Sequence, residues 1–138
     1  MVTDTARFKD YLKKKGYFAT RQRVDLFNLL QKRDALTIPQ LLALLPRQNQ
    51  STVYRNINVF EDLGIINKLK LGWHSKLELS DVFQHHHHHL TCNNCGKIIN
   101  LAENSAIENA IASLSKSQNF QAADHQLEIR GLCQSCSS

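Results

Sequence analysis

Nowhere in these 138 residues is there an apolar run approaching the roughly 20 residues needed to span a bilayer, nor a charged start leading through an apolar stretch to a small-residue cleavage site. The chain is therefore expected to be soluble and cytoplasmic, without a membrane partner. It also lacks an H-E-x-x-H pair, a nucleophile elbow and a Gly-rich phosphate loop, so no motif points to an enzyme. There is no internal repeat, and the only low-complexity segment is a run of five histidines, His85 to His89. Cysteine is absent outside two C-x-x-C pairs.

Acidic charge is scarce in the first part of the chain. Residues 1 to 80 hold 14 Lys/Arg against 7 Asp/Glu, whereas residues 81 to 138 hold 3 against 5, so the two parts carry about +7 and −2. A basic N-terminal part suits a polyanion such as DNA, and an acidic, His-rich remainder suits cations. The same split also fits an ordinary solvated surface on a basic protein. The 42% hydrophobic content is enough for a packed core in one or two small domains.

Apolar spacing at Phe8, Tyr11 and Leu12 predicts a first helix over Asp4 to Lys15, with a lysine-rich end closed by Gly16. Thr20 can cap a second helix, striped with Val24, Phe27 and Leu30 and extending to about Arg33. Thr37-Ile-Pro-Gln40 reads as a capping box that opens a third, ended by Pro46. Ser51 is expected to cap a fourth over Thr52 to Leu63. There Val53, Ile57 and Phe60 share one face, Tyr54, Arg55 and Asn58 lie opposite, and Gly64 closes the helix. Two β-prone stretches, Ile65 to Leu71 and Lys76 to Leu79, joined by a Gly72-Trp-His-Ser turn, complete a winged-helix plan. Ser80 to Gln84 reads as a linker. Strands at His85 to Leu90, Lys97 to Leu101 and Gln126 to Leu132 around a helix at about Glu103 to Ser117 then predict a small α+β unit.

The cysteine pairs, Cys92/Cys95 and Cys133/Cys136, can close a tetrahedral thiolate shell, each bringing two sulfurs to one side of an ion. A structural Zn²⁺ is the expectation, with redox disulfides or free thiols as the alternatives. The histidine run is internal and leads directly into the first pair. If it is extended, His85, His87 and His89 face one way and His86 and His88 the other, so one strand could serve two metal centres. Imidazole accepts several transition metals and does not name the ion, and a solvated polyhistidine loop is the alternative. Glu78, Asp81, Glu103, Glu108, Asp124 and His125 are further residues with ligand chemistry.

In order, Thr20-Arg-Gln-Arg, Ser51-Thr-Val-Tyr-Arg-Asn, Leu63-Gly-Ile-Ile, His86-His-His-His-Leu-Thr-Cys-Asn-Asn-Cys-Gly-Lys, Phe120 and His125-Gln-Leu-Glu-Ile-Arg-Gly-Leu-Cys-Gln-Ser-Cys resemble the ferric uptake regulator family. The resemblance spans nearly the whole chain; its T-V-Y-R and H-H-L-x-C-x-x-C-G pieces are the most specific. It implies a homodimeric, metal-dependent repressor of metal homeostasis genes, bound to double-stranded DNA at a palindromic operator. The chain then divides into a winged-helix DNA-binding domain at 1–80, a hinge at 81–85 and a small α/β metal-binding dimerisation domain at 86–138.

By this resemblance the fourth helix enters the major groove and Tyr54 and Arg55 contact bases, which suits a ring packed on a thymine methyl and a guanidinium on guanine. A Tyr54 partly buried between helices is the alternative. Thr52, Asn58, Lys14, Lys15 and Arg23 are expected at phosphates or the minor groove. The resemblance further implies a dimer-domain site of His86, His88, Glu108 and His125, and a hinge sensing site in which Glu78, His87 and His89 match the family's ligands. Two hinge positions depart from the pattern, falling on Ala35 and Asn100. Three remaining donors favour tetrahedral Zn²⁺, completed by Asp81 or His74, over Fe²⁺ or Mn²⁺. Two rival classes are a hydrolytic metal centre and a metal buffer without DNA, neither of which accounts for the basic N-terminal part.

Overall fold

The first elements form where the local chemistry demands them. In the computed structural model, which describes residues 4–71 and 74–138, helix α1 spans Asp4–Lys14 and α2 spans Arg21–Lys32. Gly16, at φ +83°, lets α1 end in a left-handed turn in which the Tyr17 amide returns to the Leu12 carbonyl at 2.9 Å. The Thr20 hydroxyl caps α2 by accepting from the Arg23 amide at 3.3 Å. Helix α3, Ile38–Leu44, opens with the full reciprocal capping box of Thr37 and Gln40, as its sequence predicts.

Helix α4 runs from Gln50 to Asp62, and its cap corrects the sequence reading: Asn49, not Ser51, accepts from the Ser51 amide at 3.0 Å. Both residues have capping side chains; the helix begins two residues before the predicted Thr52, which puts Ser51 inside the first turn. Gly64, at φ +71°, ends the helix, with the Ile65 amide returning to Phe60 at 2.8 Å. Strands β1, Ile66–Leu71, and β2, His74–Leu79, pair antiparallel from Ile66↔Leu79 to Leu71↔His74. Strand β2 therefore starts at His74, two residues earlier than the sequence suggested. Gly72 and Trp73 of the predicted turn lie outside the described residues. Leu36 exchanges two backbone hydrogen bonds with Leu77, at 3.0 and 2.7 Å, tying the start of α3 to the wing.

This first unit, which ends at Gln84, closes over an aromatic centre. Phe8 stacks on Phe27 at 4.3 Å and meets Phe60 edge-on at 5.4 Å, and all three are fully buried. Each such ring stabilises the fold by about 1.5–3 kcal/mol through removal of apolar area from water. The segment 80–84 is not the loose linker its composition suggested. Phe83 is buried against Phe8, Tyr11 and Phe27, Arg7 donates to the Val82 carbonyl at 2.9 Å, and the Ser80 hydroxyl donates to the Gly64 carbonyl at 2.6 Å.

The second unit, His85–Ser138, is a three-stranded sheet with order β4-β3-β5 and one long helix. Strand β3, His87–Cys92, is central; β4, Ile98–Ala102, runs antiparallel to it, and β5, Glu128–Gly131, parallel. Helix α5, Ser105–Ser117, is capped by Asn104, whose side chain accepts from the amides of Ala106 and Ile107. A four-residue helix that the sequence pattern does not predict, α6, Gln134–Ser137, follows β5. No residue of α5 is buried, and Leu114, Phe120, Ile129 and Leu132 stand exposed. Among the described residues no helix is long and apolar enough to cross a membrane.

Candidate metal centres and nucleic-acid interface

The two cysteine pairs meet because β3 and β5 are parallel neighbours. Cys92 ends β3 opposite Gly131, two residues before Cys133, and the Asn93 amide donates to the Gly131 carbonyl at 2.7 Å. All four Sγ atoms lie within 4.8 Å of one another, with Cys95 and Cys133 at 3.8 Å. A zinc–sulfur bond of about 2.3 Å gives a tetrahedron edge of roughly 3.8 Å, so the sulfurs are spaced for an ion, not for a disulfide of about 2.05 Å. The cysteines are all unbridged.

Their acidities are spread apart. The Cys92 thiol is lowered to about 6, first by the Cys95 amide and then by the Cys133 amide, against partial burial. Cys133 is lowered too, chiefly by the Cys136 amide. The Asn94 side-chain amide, 3.3 Å from Cys136 Sγ, works to lower that thiol, but the neighbouring Cys133 sulfur and burial outweigh it and push Cys136 up to about 11. Converging thiolates resist joint ionisation until a cation offsets their charge. Asn94 was missed in the sequence; its position between Cys92 and Cys95 was the available signal.

A second cluster gathers His86, His88, Glu108 and His125. Glu108 sits in the first turn of α5, and its Oε1 lies 2.6 Å from His88 Nε2 and 3.2 Å from His86 Nε2. Its Oε2 lies 2.8 Å from His125 Nε2, which is itself 3.0 Å from His86 Nε2. Burial acts to raise the Glu108 carboxyl, yet the His88 hydrogen bond and the charges of His125, His86 and His88 together hold it below its ordinary value. Three imidazole nitrogens and a carboxylate converging on one point make a donor set suited to a borderline divalent ion.

The other histidines of β3 take the opposite face, as strand alternation requires. The His87 and His89 rings lie 4.6 Å apart, and His87 Nδ1 lies 3.0 Å from the His85 carbonyl oxygen. Donation there would put the His87 lone pair on Nε2. Asn100 is directly opposite His89 on β4. Glu78 is a buried residue of β2, paired with Asn67. His74, Asp81, Glu103 and Asp124 fall in no cluster of three or more such donors among the described residues.

On α4, Val53, Ile57 and Phe60 point into the core while Tyr54, 46% exposed, Arg55 and Asn58 face outward and Thr52 is half-buried. Lys14 pairs with Asp10 at 3.0 Å and Lys15 lies 5.4 Å from the Tyr11 ring centre. Arg23 points partly inward, to Asn56, a buried polar residue that the helical pattern alone did not single out.

A winged-helix unit with an outward-facing Tyr-Arg pair, followed by a sheet bearing thiolate and imidazole–carboxylate clusters, defines a metal-responsive DNA-binding transcription regulator. The Ferric uptake regulator family model matches residues 14–130, and the chain belongs to this family. It is 32% identical over 140 residues to the ferric uptake regulation protein of Campylobacter jejuni, covering 96% of this chain and 87% of that protein. Among solved structures, the ferric uptake regulator of Vibrio cholerae aligns with a TM-score of 0.73 and 31% identity over 91% of this chain and 99% of that one. The Helicobacter pylori regulator, described as having three functional metal-binding sites, shares the fold at a TM-score of 0.80 and 24% identity, covering 98% of this chain and 92% of its own. The α+β architecture is thus that of an N-terminal DNA-binding domain followed by a C-terminal dimerisation domain, in a family of transcription regulators of metal homeostasis rather than enzymes.

Proposed function

We propose that this chain is a homodimeric, cytoplasmic repressor whose grip on a palindromic operator depends on a regulatory ion. The observation that carries the reading is the division of one histidine run between two faces of β3, with His86 and His88 joined by Glu108 and His125 on one side. His87 and His89, on the other, match the family's sensing ligands, as does Glu78 of β2. The differential affinity of a regulatory ion for the DNA-competent state of the protein is the coupling energy, about 1–3 kcal/mol. Cys92, Cys95, Cys133 and Cys136 hold a structural Zn²⁺. With Ala35 and Asn100 in place of two donors, Zn²⁺ is favoured over Fe²⁺ or Mn²⁺ at the sensing site.

Dimerisation is supported by the apolar residues that the second unit leaves exposed, Leu114, Phe120, Ile129 and Leu132. Tyr54 and Arg55 read bases, and Thr52, Asn58, Lys14 and Lys15 hold the backbone. The test is DNA binding by metal-stripped protein titrated separately with Zn²⁺, Fe²⁺ and Mn²⁺ at buffered free concentrations. A 5- to 150-fold gain in affinity, on the scale of that coupling, is expected with Zn²⁺. Equal affinity of stripped and loaded protein would leave a metal buffer as the better description.

A further inference from the structure

The guanidinium of Arg23 is largely committed within the protein. Its Nε donates to Asn56 Oδ1 at 3.1 Å, its Nη1 donates to the Phe18 carbonyl at 2.8 Å, and its carbon lies 5.5 Å from the Tyr17 ring centre. Asn56 is 4% exposed and follows Arg55 on α4; Phe18 and Tyr17 belong to the turn between α1 and α2, just after Lys14 and Lys15. The Arg23 backbone is fixed in turn, because its amide is the one capped by Thr20. A buried amide oxygen left without a donor is costly, so the Arg23–Asn56 contact holds α4 at a set depth and rotation against α2.

We infer that Arg23 and Asn56 form a clamp that orients the DNA-reading helix and fixes it relative to the basic α1–α2 turn, making Arg23 a positioning residue rather than a simple phosphate contact. The inference rests on the proposed reading of α4 as the recognition helix. Its physical content is that two donors of one planar group bridge two elements at once, which a lysine ammonium on a flexible stem does not reproduce. A phosphate contact, by contrast, tolerates lysine and carries no sequence information.

The experiment uses the full-length, metal-loaded protein and a duplex selected from a random-sequence pool by the parent protein, with a scrambled duplex of equal length as reference. Affinities for both are measured for Arg23→Ala, Arg23→Lys, Asn56→Ala and the double Arg23→Ala/Asn56→Ala variant, each at its titrated active fraction and well below its thermal midpoint. For a clamp, all four lose affinity for the selected duplex by a similar factor, on the order of tenfold, the scale of one lost charge-assisted hydrogen bond. Binding to the scrambled duplex stays at the parent level, and the double variant is no worse than either single one. A uniform loss on both duplexes with Arg23→Ala, parent-like binding by Arg23→Lys and no effect of Asn56→Ala would identify a phosphate contact and overturn the clamp. Unchanged preference at equal folded fraction would show a purely structural contact and overturn it too. If Arg23→Ala does not fold, Arg23→Lys and Asn56→Ser give the same two patterns. Arg55→Ala separates the two levels: if it keeps the parent preference, the recognition-helix reading fails, whereas its loss beside an indifferent Asn56→Ala sinks the clamp alone.

Discussion

Glu108 of α5 holds His88 of β3 through a 2.6 Å contact, and the imidazole it meets is only 2% exposed. No residue of α5 is fully buried, Ile107 and Ile111 being half-buried, and this polar contact is one that links the helix to the sheet. A divalent ion at the same point would replace proton-mediated contacts by bonds to all four donors.

Replacing Glu108 by Gln removes the one anionic donor of that cluster. The variant is expected to lose one equivalent of metal per chain while keeping the cysteine-bound equivalent. Elemental analysis after dialysis against a weak chelator measures both. In the metal-free protein the weakened contact to buried His88 should lower stability, read by urea unfolding.

Glu108 also sets a pH response. Its carboxyl lies below the ordinary 4.5 in the folded protein, so the unfolded state binds its proton more readily. The contribution is complete above about 4.5 and disappears as pH falls through the lower folded value. Thermal midpoints of metal-free protein between pH 7 and 3 should drop in that window, and the drop should be smaller in Glu108→Gln. A parent and variant falling in parallel would contradict the assignment.

The cysteine cluster predicts proton release on metal uptake. Cys136, raised to about 11, is protonated at neutral pH, and coordination requires its thiolate, whereas Cys92 at about 6 is already ionised. Zinc titration of reduced apoprotein at pH 7.5, followed by calorimetry in buffers of different ionisation heat, should show net proton release, with less in Cys136→Ser. Cys92→Ser should bind less zinc and melt lower.

Phe83 anchors the segment three residues before His86. Phe83→Ala opens a cavity among Phe8, Tyr11 and Phe27 and should cost about 3–5 kcal/mol. Phe83→Leu should cost less. Chemical denaturation of the apoprotein measures both, and a change below about 1 kcal/mol for the alanine variant would mean that the ring is not part of the core.

Asn100 offers a test of metal choice. It faces His89 across the β3–β4 ladder, on the same side of the sheet, so Asn100→Asp adds an anionic oxygen beside that imidazole, a proposed sensing ligand. The variant should respond to Fe²⁺ or Mn²⁺ at lower free concentration than the parent in the DNA-binding titration, because those ions favour more oxygen donors. An unchanged order of metals would remove Asn100 from the explanation.

What the sequence determined by itself was whatever depends on neighbours within a turn or two. The Thr37 capping box, the glycine ends of α1 and α4, the inward Val53, Ile57 and Phe60, and the opposed faces of the histidine run all follow from 3.6- or 2-residue periods and local hydrogen bonding. The C-x-x-C spacing likewise marked the thiolates; Glu108 and His125 were legible only through family resemblance. Tertiary structure decided what depends on distant partners. The β3–β5 register brings Cys92 to Cys133, packing draws Phe83 out of an apparent linker into the core, and Asn56 finds Arg23 33 residues away. Such contacts have no local period, because burial and polar satisfaction belong to the closed fold and not to any single segment of it.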